Sequence, residues 1–384
     1  MSADWNQRES GEERMRFLLA GGGTGGHIYP ALAIAGALRQ RQPEAEMLFC
    51  GTSAGLEVEL IPAAGYKLHL LSVRGFRRRL SLDTLRSAWA AVRGLWEADR
   101  LIRTYRPDAV IGTGGYVCGP VLLAAWLHGV PAYLQEQNAM PGVTNRILSR
   151  FVRAAYLGYE EGRPFFTATR TVLWTGNPLR TMDSEEKKAA LSKLGLDTGK
   201  KTILITGGSR GARSINRAVA AAFKELTQDD SVQFLHVTGR DEYEATQALL
   251  LEQGLKDSRQ FHLRSYLHEM PMALQAADLV LCRAGAIALA EVAAVGLPSV
   301  LIPYPFATGN HQEANARAFE KRGAAIVLLD RELTGKRLTE IILPLVHNEE
   351  KLQTMRDAAA SLAKPAAAVE IVDHLLADLQ ATSV

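Results

Sequence analysis

Short, nearly unbroken apolar runs alternate with longer helical stretches from residue 16 onward. The runs are "RFLLAG", "MLFC", "AVIG" and "AYLQ" in the first half, then "TILIT", "FLHVTG", "LVLC", "SVLIPY" and "AIVLL" in the second. Runs without polar alternation belong to strands covered on both faces, so the pattern predicts an α/β fold of parallel sheets with helical crossovers. Ligands of such sheets lie at the carboxyl ends of the strands. The stretch from Ala109 to Gln135 carries no charge if His128 is neutral, and is long enough to cross a bilayer. Its Gly112, Gly114, Gly115, Gly119, Pro120 and Pro131 instead break it into strand, loop, short helix and strand.

One theme repeats at a large interval. "RFLLAGGGTGG" near residue 16 is echoed by "KTILITGGSRGA" near residue 201, each an apolar strand entering a glycine turn and then a helix. Two Rossmann-like domains facing a central cleft fit this repeat better than one large sheet. The segment "TGNPLR", followed by the polar "TMDSEEKKAALSKLGLDTGK", is the expected boundary. The division predicted is a loose extension over 1–14, an N-terminal domain over 15–176, a C-terminal domain over 177–363, and a last helix over 364–384 able to return to the N-terminal domain.

Composition narrows this little. The chain has 384 residues, 47% hydrophobic and 22% charged, enough for two cores. The opening "MSADWNQRESGEER" has no apolar core of the kind a signal peptide carries. A net charge of +3 gives no case for nucleic-acid binding. The widely spaced Cys50, Cys118 and Cys282 read as buried thiols.

The candidate chemistry sits in glycine loops. Gly21, Gly23 and Gly26 satisfy G-x-G-x-x-G, yet the second strand ends in Cys50-Gly51-Thr52, with no acidic residue to hold the ribose of a dinucleotide. No ATP-type P-loop occurs. A second loop, Gly112-Thr113-Gly114-Gly115-Tyr116, and a third, Gly207-Gly208-Ser209-Arg210-Gly211, also follow apolar strands, which suits more than one phosphate group. In the densest stretch, Asp278 to Ala316, Glu291 lies on an otherwise apolar helix, where its carboxylate could accept both hydroxyls of a ribose. Gln312 and Asn315 are neutral two-way hydrogen-bonders suited to hydroxyls and an acetamido group.

Together "GGGTGGHIYPALAIA", "GTGGYVCGPVLLAAW", "EQNAMPGVTNR", "GNPLR", "GGSRGARSIN" and "CRAGAIALAEVAAVGLPSVLIPYP…NHQEANA" resemble the MurG family, from about Met15 to the C-terminal region. The resemblance implies a two-domain GT-B fold and transfer of N-acetylglucosamine from UDP-N-acetylglucosamine to the muramyl-pentapeptide diphosphate lipid, making lipid II for peptidoglycan. It assigns Thr24, Gly25 and Gly26 to the cleft, with Asn138 and Arg180 beside the sugar nucleotide. Ser209 is expected at the diphosphate and Leu267 at the uracil edge. Gly285, Ala286, Ile287, Ala288, Leu289 and Ala290 are expected at phosphate and ribose, Glu291 at the ribose, and His311 and Gln312 near the sugar. The acceptor's diphosphate falls to Gly22, Gly23, Gly114, Gly115 and Tyr116. The chain departs from the family with Gln135 where His is frequent and Ala288 where Thr is common, losing a hydroxyl; His311 is Gln in some members. A UDP-N-acetylglucosamine 2-epimerase, or another UDP-sugar protein of the same fold, is the alternative.

Inverting transfer needs a base and a stabilised leaving group. No two aspartates stand two positions apart as a metal-binding pair. The expectation is therefore chemistry without metal or other cofactor, the helix after the third loop, with Arg210 or Arg213, taking the diphosphate's charge. His27, in the first loop, is the first candidate base and Glu136 the second. Residues 73–103 hold eight arginines against Asp83, Glu97 and Asp99. There Leu82, Leu85, Trp89, Val92 and Trp96 form one helical stripe, which reads either as core-facing or as part of an anionic-membrane contact. Phe76, Arg77, Arg78, Arg79 and Trp126 are the named patch, with peripheral attachment to the cytoplasmic face of the cell membrane expected.

Overall fold

The computed structural model describes residues 14–73, 82–180, 185–208, 210–255 and 258–382, with backbone alone over 82–91. Phe76, Arg77, Arg78, Arg79 and Ser209 lie outside the described residues.

Two parallel sheets form, one in each half of the chain. The first contains β1 (Arg16–Gly21), β2 (Glu46–Gly51), β3 (Lys67–Leu70), β4 (Ala109–Gly114), β5 (Ala132–Glu136), β6 (Ala154–Leu157) and β7 (Thr171–Trp174), in the order 3-2-1-4-5-6-7. The second contains β8 (Lys201–Thr206), β9 (Val232–Val237), β10 (Phe261–Arg264), β11 (Leu279–Cys282), β12 (Ser299–Leu301) and β13 (Ala325–Val327), in the order 10-9-8-11-12-13. Phe17, Leu18, Leu19 and Ala20 of β1 are all fully buried, pointing alternately into the two layers of helices, which is why the strand reads as a continuous apolar run.

The first half carries helices α1 (Gly25–Arg41), α2 (Glu57–Ala63), α3 (Leu82–Tyr105), α4 (Cys118–Leu127) and α5 (Val143–Leu148). The second carries α6 (Lys187–Leu194), α7 (Arg213–Leu226), α8 (Tyr243–Glu252), α9 (Met270–Ala276), α10 (Ala286–Ala294), α11 (His311–Lys321), α12 (Gly335–Val346), α13 (Glu349–Ser361) and α14 (Ala367–Thr382). The last helix returns to the first sheet. Ile371, Val372 and Leu375 of α14 are buried in the core that also holds Phe17, Leu19 and Tyr133, and Asp373 pairs with Arg41 at 2.7 Å.

Strand order reverses between β1 and β4 in one sheet and between β8 and β11 in the other. Helices leaving adjacent strands at such a point depart to opposite faces and open a crevice. All three glycine loops, and the "CRAG" turn after β11, sit at these two crevices. On α3, Ala98, Leu101 and Ile102 face the core while Val92 and Trp96 are 67% and 58% exposed. The described part of the stripe thus faces solvent, which corrects the core-facing reading. Cys50, Cys118 and Cys282 are buried free thiols. Among the described residues no helix is long and apolar enough to cross a membrane.

Candidate active site

The first loop leaves β1 at Gly21 and enters α1 at Gly25, so His27 lies in the helix's first turn. Its Nδ1 is 3.0 Å from the carbonyl oxygen of Gly22. A carbonyl only accepts, so Nδ1 carries the proton and Nε2 keeps the free lone pair. The His27 backbone is held as well, because the Thr113 hydroxyl donates to its carbonyl at 2.8 Å. Burial lowers the imidazole's pKa from its ordinary 6.5, against the opposing pull of the Gly22 carbonyl and Glu136, and the ring is therefore neutral at pH 7.

The second loop packs back to back with the first. A Cβ on Gly114, whose φ is +111°, would lie 2.6 Å from Cδ2 of His27, and one on Gly115 would lie 2.5 Å from the Gly22 oxygen. Close backbone approach, more than phosphate binding, explains these glycines. The loop N–H groups are spent internally: Gly22 donates to Gly114 O at 3.4 Å, Gly23 to a carboxylate oxygen of Glu57 at 2.9 Å, and Gly114 to Sγ of Cys118 at 3.0 Å. Gly22, Gly23 and Gly114 therefore have no N–H to offer a diphosphate, contrary to expectation. Gly115 and Tyr116, the latter 61% exposed, remain at the surface beside the start of α4.

Glu136 is also corrected. It is 1% exposed, and its oxygens accept from Asn138 N at 2.9 Å, Asn138 Nδ2 at 3.2 Å and Asn145 Nδ2 at 2.8 Å. A carboxylate so enclosed orients its loop and cannot reach a substrate proton. Asn138 and Asn315 join the two halves of the chain instead of lining the cleft: Asn315 accepts from Ala139 N at 2.8 Å and donates to Asn138 Oδ1 at 3.1 Å. Gln135 is fully buried and donates to Asn177 at 3.1 Å.

Between the two sheets lies a cavity of about 990 Å³. Gly25 and Gly26 of α1 line it from one side, Ala212 and Arg213 at the start of α7 and Gly285 and Ala286 at the start of α10 from the other. Three helix N-termini therefore converge on one space, an arrangement that favours a polyanion. Arg180 also lines it, its guanidinium 4.5 Å above the Tyr29 ring. Leu267, Ile287, Ala288, Glu291 and Gln312 lie on the same wall. Burial pushes the Glu291 carboxyl up to about 7, against the nearby charge of Arg180.

Besides His27, which follows Gly26 in α1 but is not itself among the lining residues, four expected residues lie off this wall. Leu289 is fully buried in the core and Ala290 faces a separate void of about 40 Å³ beside Trp174 and Lys364, because positions 289 and 290 fall on the opposite side of α10 from 287, 288 and 291. Thr24 is exposed at the N-cap, and His311 turns Nδ1 to Thr308 O at 2.7 Å; neither lines the cavity. Sequence reasoning missed Arg283, whose guanidinium donates to Asp330 at 2.6 Å and to Ser214 at 2.8 Å on the cavity wall. It also missed Glu57. Neither carried a local signal, since the partners of Arg283, and Gly23 among those of Glu57, are remote in sequence.

The fold and cleft are of the two-domain GT-B type, and the family and relatives matched make the class a UDP-sugar-dependent glycosyltransferase. The glycosyltransferase family 28 N-terminal domain matches residues 17–157, and the family 28 C-terminal domain residues 202–371. The UDP-N-acetylglucosamine–N-acetylmuramyl-(pentapeptide) pyrophosphoryl-undecaprenol N-acetylglucosamine transferase of Desulfitobacterium hafniense (strain DSM 10664 / DCB-2) is 46% identical over 93% of this chain and 98% of its own. The Moorella thermoacetica protein of the same name is 46% identical over 94% and 98%. The crystal structure of Acinetobacter baumannii MurG aligns with a TM-score of 0.75 and 30% identity, covering 94% of this chain and 99% of that one. The chain belongs to the MurG family. A putative UDP-N-acetylglucosamine 2-epimerase from Listeria monocytogenes, at 14% identity and a TM-score of 0.70, shares the fold alone.

Proposed function

We propose that the protein transfers N-acetylglucosamine from UDP-N-acetylglucosamine to the C4 hydroxyl of the muramyl residue of the undecaprenyl-diphosphate-linked pentapeptide, with inversion, forming lipid II. The observation that carries this is the convergence of three helix N-termini and Glu291 on a cleft lined by Gly25 and Gly26, the residues directly before the neutral, oriented imidazole of His27. The acceptor's O–H proton passes to Nε2 of His27 as its oxygen attacks C1 of the sugar. The C1–O bond to the diphosphate breaks and UDP leaves with the electron pair. Its growing charge meets the N-termini of α7 and α10 and the guanidinium of Arg180, groups fixed before the reaction begins. Glu291 accepts from the ribose hydroxyls. Gly115 and Tyr116, at the start of α4, meet the acceptor diphosphate.

The acceptor is lipid-linked, and the exposed apolar side chains of the first domain support a membrane contact on its cytoplasmic leaflet. Val92 and Trp96 of α3 stand out from the core, and Trp126, 49% exposed, packs edge-on against Phe151 at 4.9 Å. Exposed aromatic and apolar side chains of this kind suit the interface of an anionic membrane, and the sequence supplies arginines at 74, 77, 78 and 79. Mixing the protein with lipid I and UDP-N-acetylglucosamine tests the reading: lipid II and UDP must form together, and epimerised nucleotide sugar without lipid product would replace it with the epimerase alternative.

A further inference from the structure

Glu57 is fully buried, yet the reaction described above makes no use of it. Its carboxylate accepts from Thr52 N and Thr52 Oγ1, each at 2.8 Å, and from Gly23 N at 2.9 Å. Three glycines clear space for it. A Cβ on Gly55 or on Gly22 would run into the carboxylate oxygens, at 2.5 Å in the case of Gly22, and one on Gly51 would lie 2.6 Å from Cγ. Burial opposes the charge, but the bonds from Thr52 and Gly23 prevail and hold the carboxyl below the ordinary carboxylate range. A permanent internal anion thus fills the place behind the first glycine loop where a phosphate was expected.

Gly23 follows directly on Gly22, whose carbonyl takes the Nδ1 proton of His27. We propose that Glu57 is a positioning residue for His27: by holding Gly23 N–H it fixes the Gly22 carbonyl, and the Gly22 carbonyl fixes the imidazole tautomer that leaves Nε2 unprotonated. The inference rests on the reading of His27 as the base. The other charged or titratable groups facing the imidazole are Glu136 from β5 and His311 from α11, and neither bonds to it.

Glu57→Gln decides it. Its single oxygen can serve the two Thr52 donors only by turning an NH2 against Gly23 N–H, so the loop carbonyl shifts. The expected result is a fall in kcat of about ten- to a hundredfold with KM for UDP-N-acetylglucosamine within about twofold of wild type. Nitrogen-15 imidazole spectra should show His27 leaving the pure Nδ1–H tautomer, whereas Thr52→Ser, which keeps both donors, should leave rate and tautomer as in wild type. A wild-type tautomer in folded Glu57→Gln overturns the proposal, whatever happens to the rate. If Glu57→Gln does not fold, Thr52→Val, which removes one donor to the same oxygen, is read by the same spectra, with an unaltered tautomer again counting against it. The tautomer needs no turnover, so the two readings fail separately: wild-type kcat in His27→Ala would end the assignment of the base, not that of the positioning residue.

Discussion

At Glu291 the cost of burying a carboxylate becomes measurable. Its folded pKa of about 7 lies above the ordinary 4.5, so the folded protein holds this proton more tightly than the unfolded chain. The resulting stability is fully present below pH 4.5 and is lost as pH rises through 7. Glu291→Gln should therefore raise the stability of the ligand-free protein at pH 8 by up to about 3 kcal/mol, with little effect near pH 4, as thermal denaturation at both pH values would show. The same substitution should weaken UDP-N-acetylglucosamine by about ten- to a hundredfold, since the charge-assisted bonds to the ribose are lost. An unchanged dissociation constant in calorimetry would remove Glu291 from the ribose. His27 obeys the opposite sign: protonation disables it, so kcat/KM should be flat at neutral pH and fall only below the ordinary 6.5. His27→Ala should cost about a hundred- to ten-thousandfold in kcat with donor affinity retained. The place of Glu291 on the cavity wall was legible from sequence because it is a lone ionisable group on an apolar helix. Glu57 was not, because it is bonded to a loop 34 residues away.

Elements came through the sequence more clearly than contacts did. Each apolar run named in the sequence became a strand, since burial on both faces leaves no room for polar alternation. Helix α10 shows the limit of motif reasoning, which assigned its whole first half to the ligand. Helical periodicity alone separates Ile287, Ala288 and Glu291 from Leu289, and the structure follows the periodicity. Leu289→Ala should accordingly cost about 2–5 kcal/mol in stability through the cavity it leaves, with unchanged affinity for the nucleotide sugar. A selective loss of affinity in a stable variant would return Leu289 to the site. The glycine loops misled in a different way: their N–H groups suggested anions, while their partners, Glu57, Gly114 O and Cys118 Sγ, lie on other elements.

For the whole molecule, two sheets each reversing strand order place the start of α1 on one side of a single cleft and the starts of α7 and α10 on the other. That architecture was readable from the repeated strand, glycine turn and helix. The bridge from Asn138 and Ala139 to Asn315 was not, because it joins residues 176 or 177 positions apart and no local pattern marks it. Replacing Arg77, Arg78 and Arg79 by Glu should reduce sedimentation with anionic vesicles and raise KM for membrane-embedded acceptor while sparing a short-chain soluble analogue. Each lost basic contact removes on the order of 1 kcal/mol. Wild-type sedimentation at low salt would place the contact elsewhere. The most direct test of the function remains the transfer itself, with UDP-N-acetylglucosamine labelled in the sugar and lipid I in vesicles. Label should move into the lipid fraction as lipid II, one UDP released for each sugar moved, and His27→Ala should abolish nearly all of it; label that stays on the nucleotide, or leaves it without entering lipid, would contradict glycosyl transfer to this acceptor.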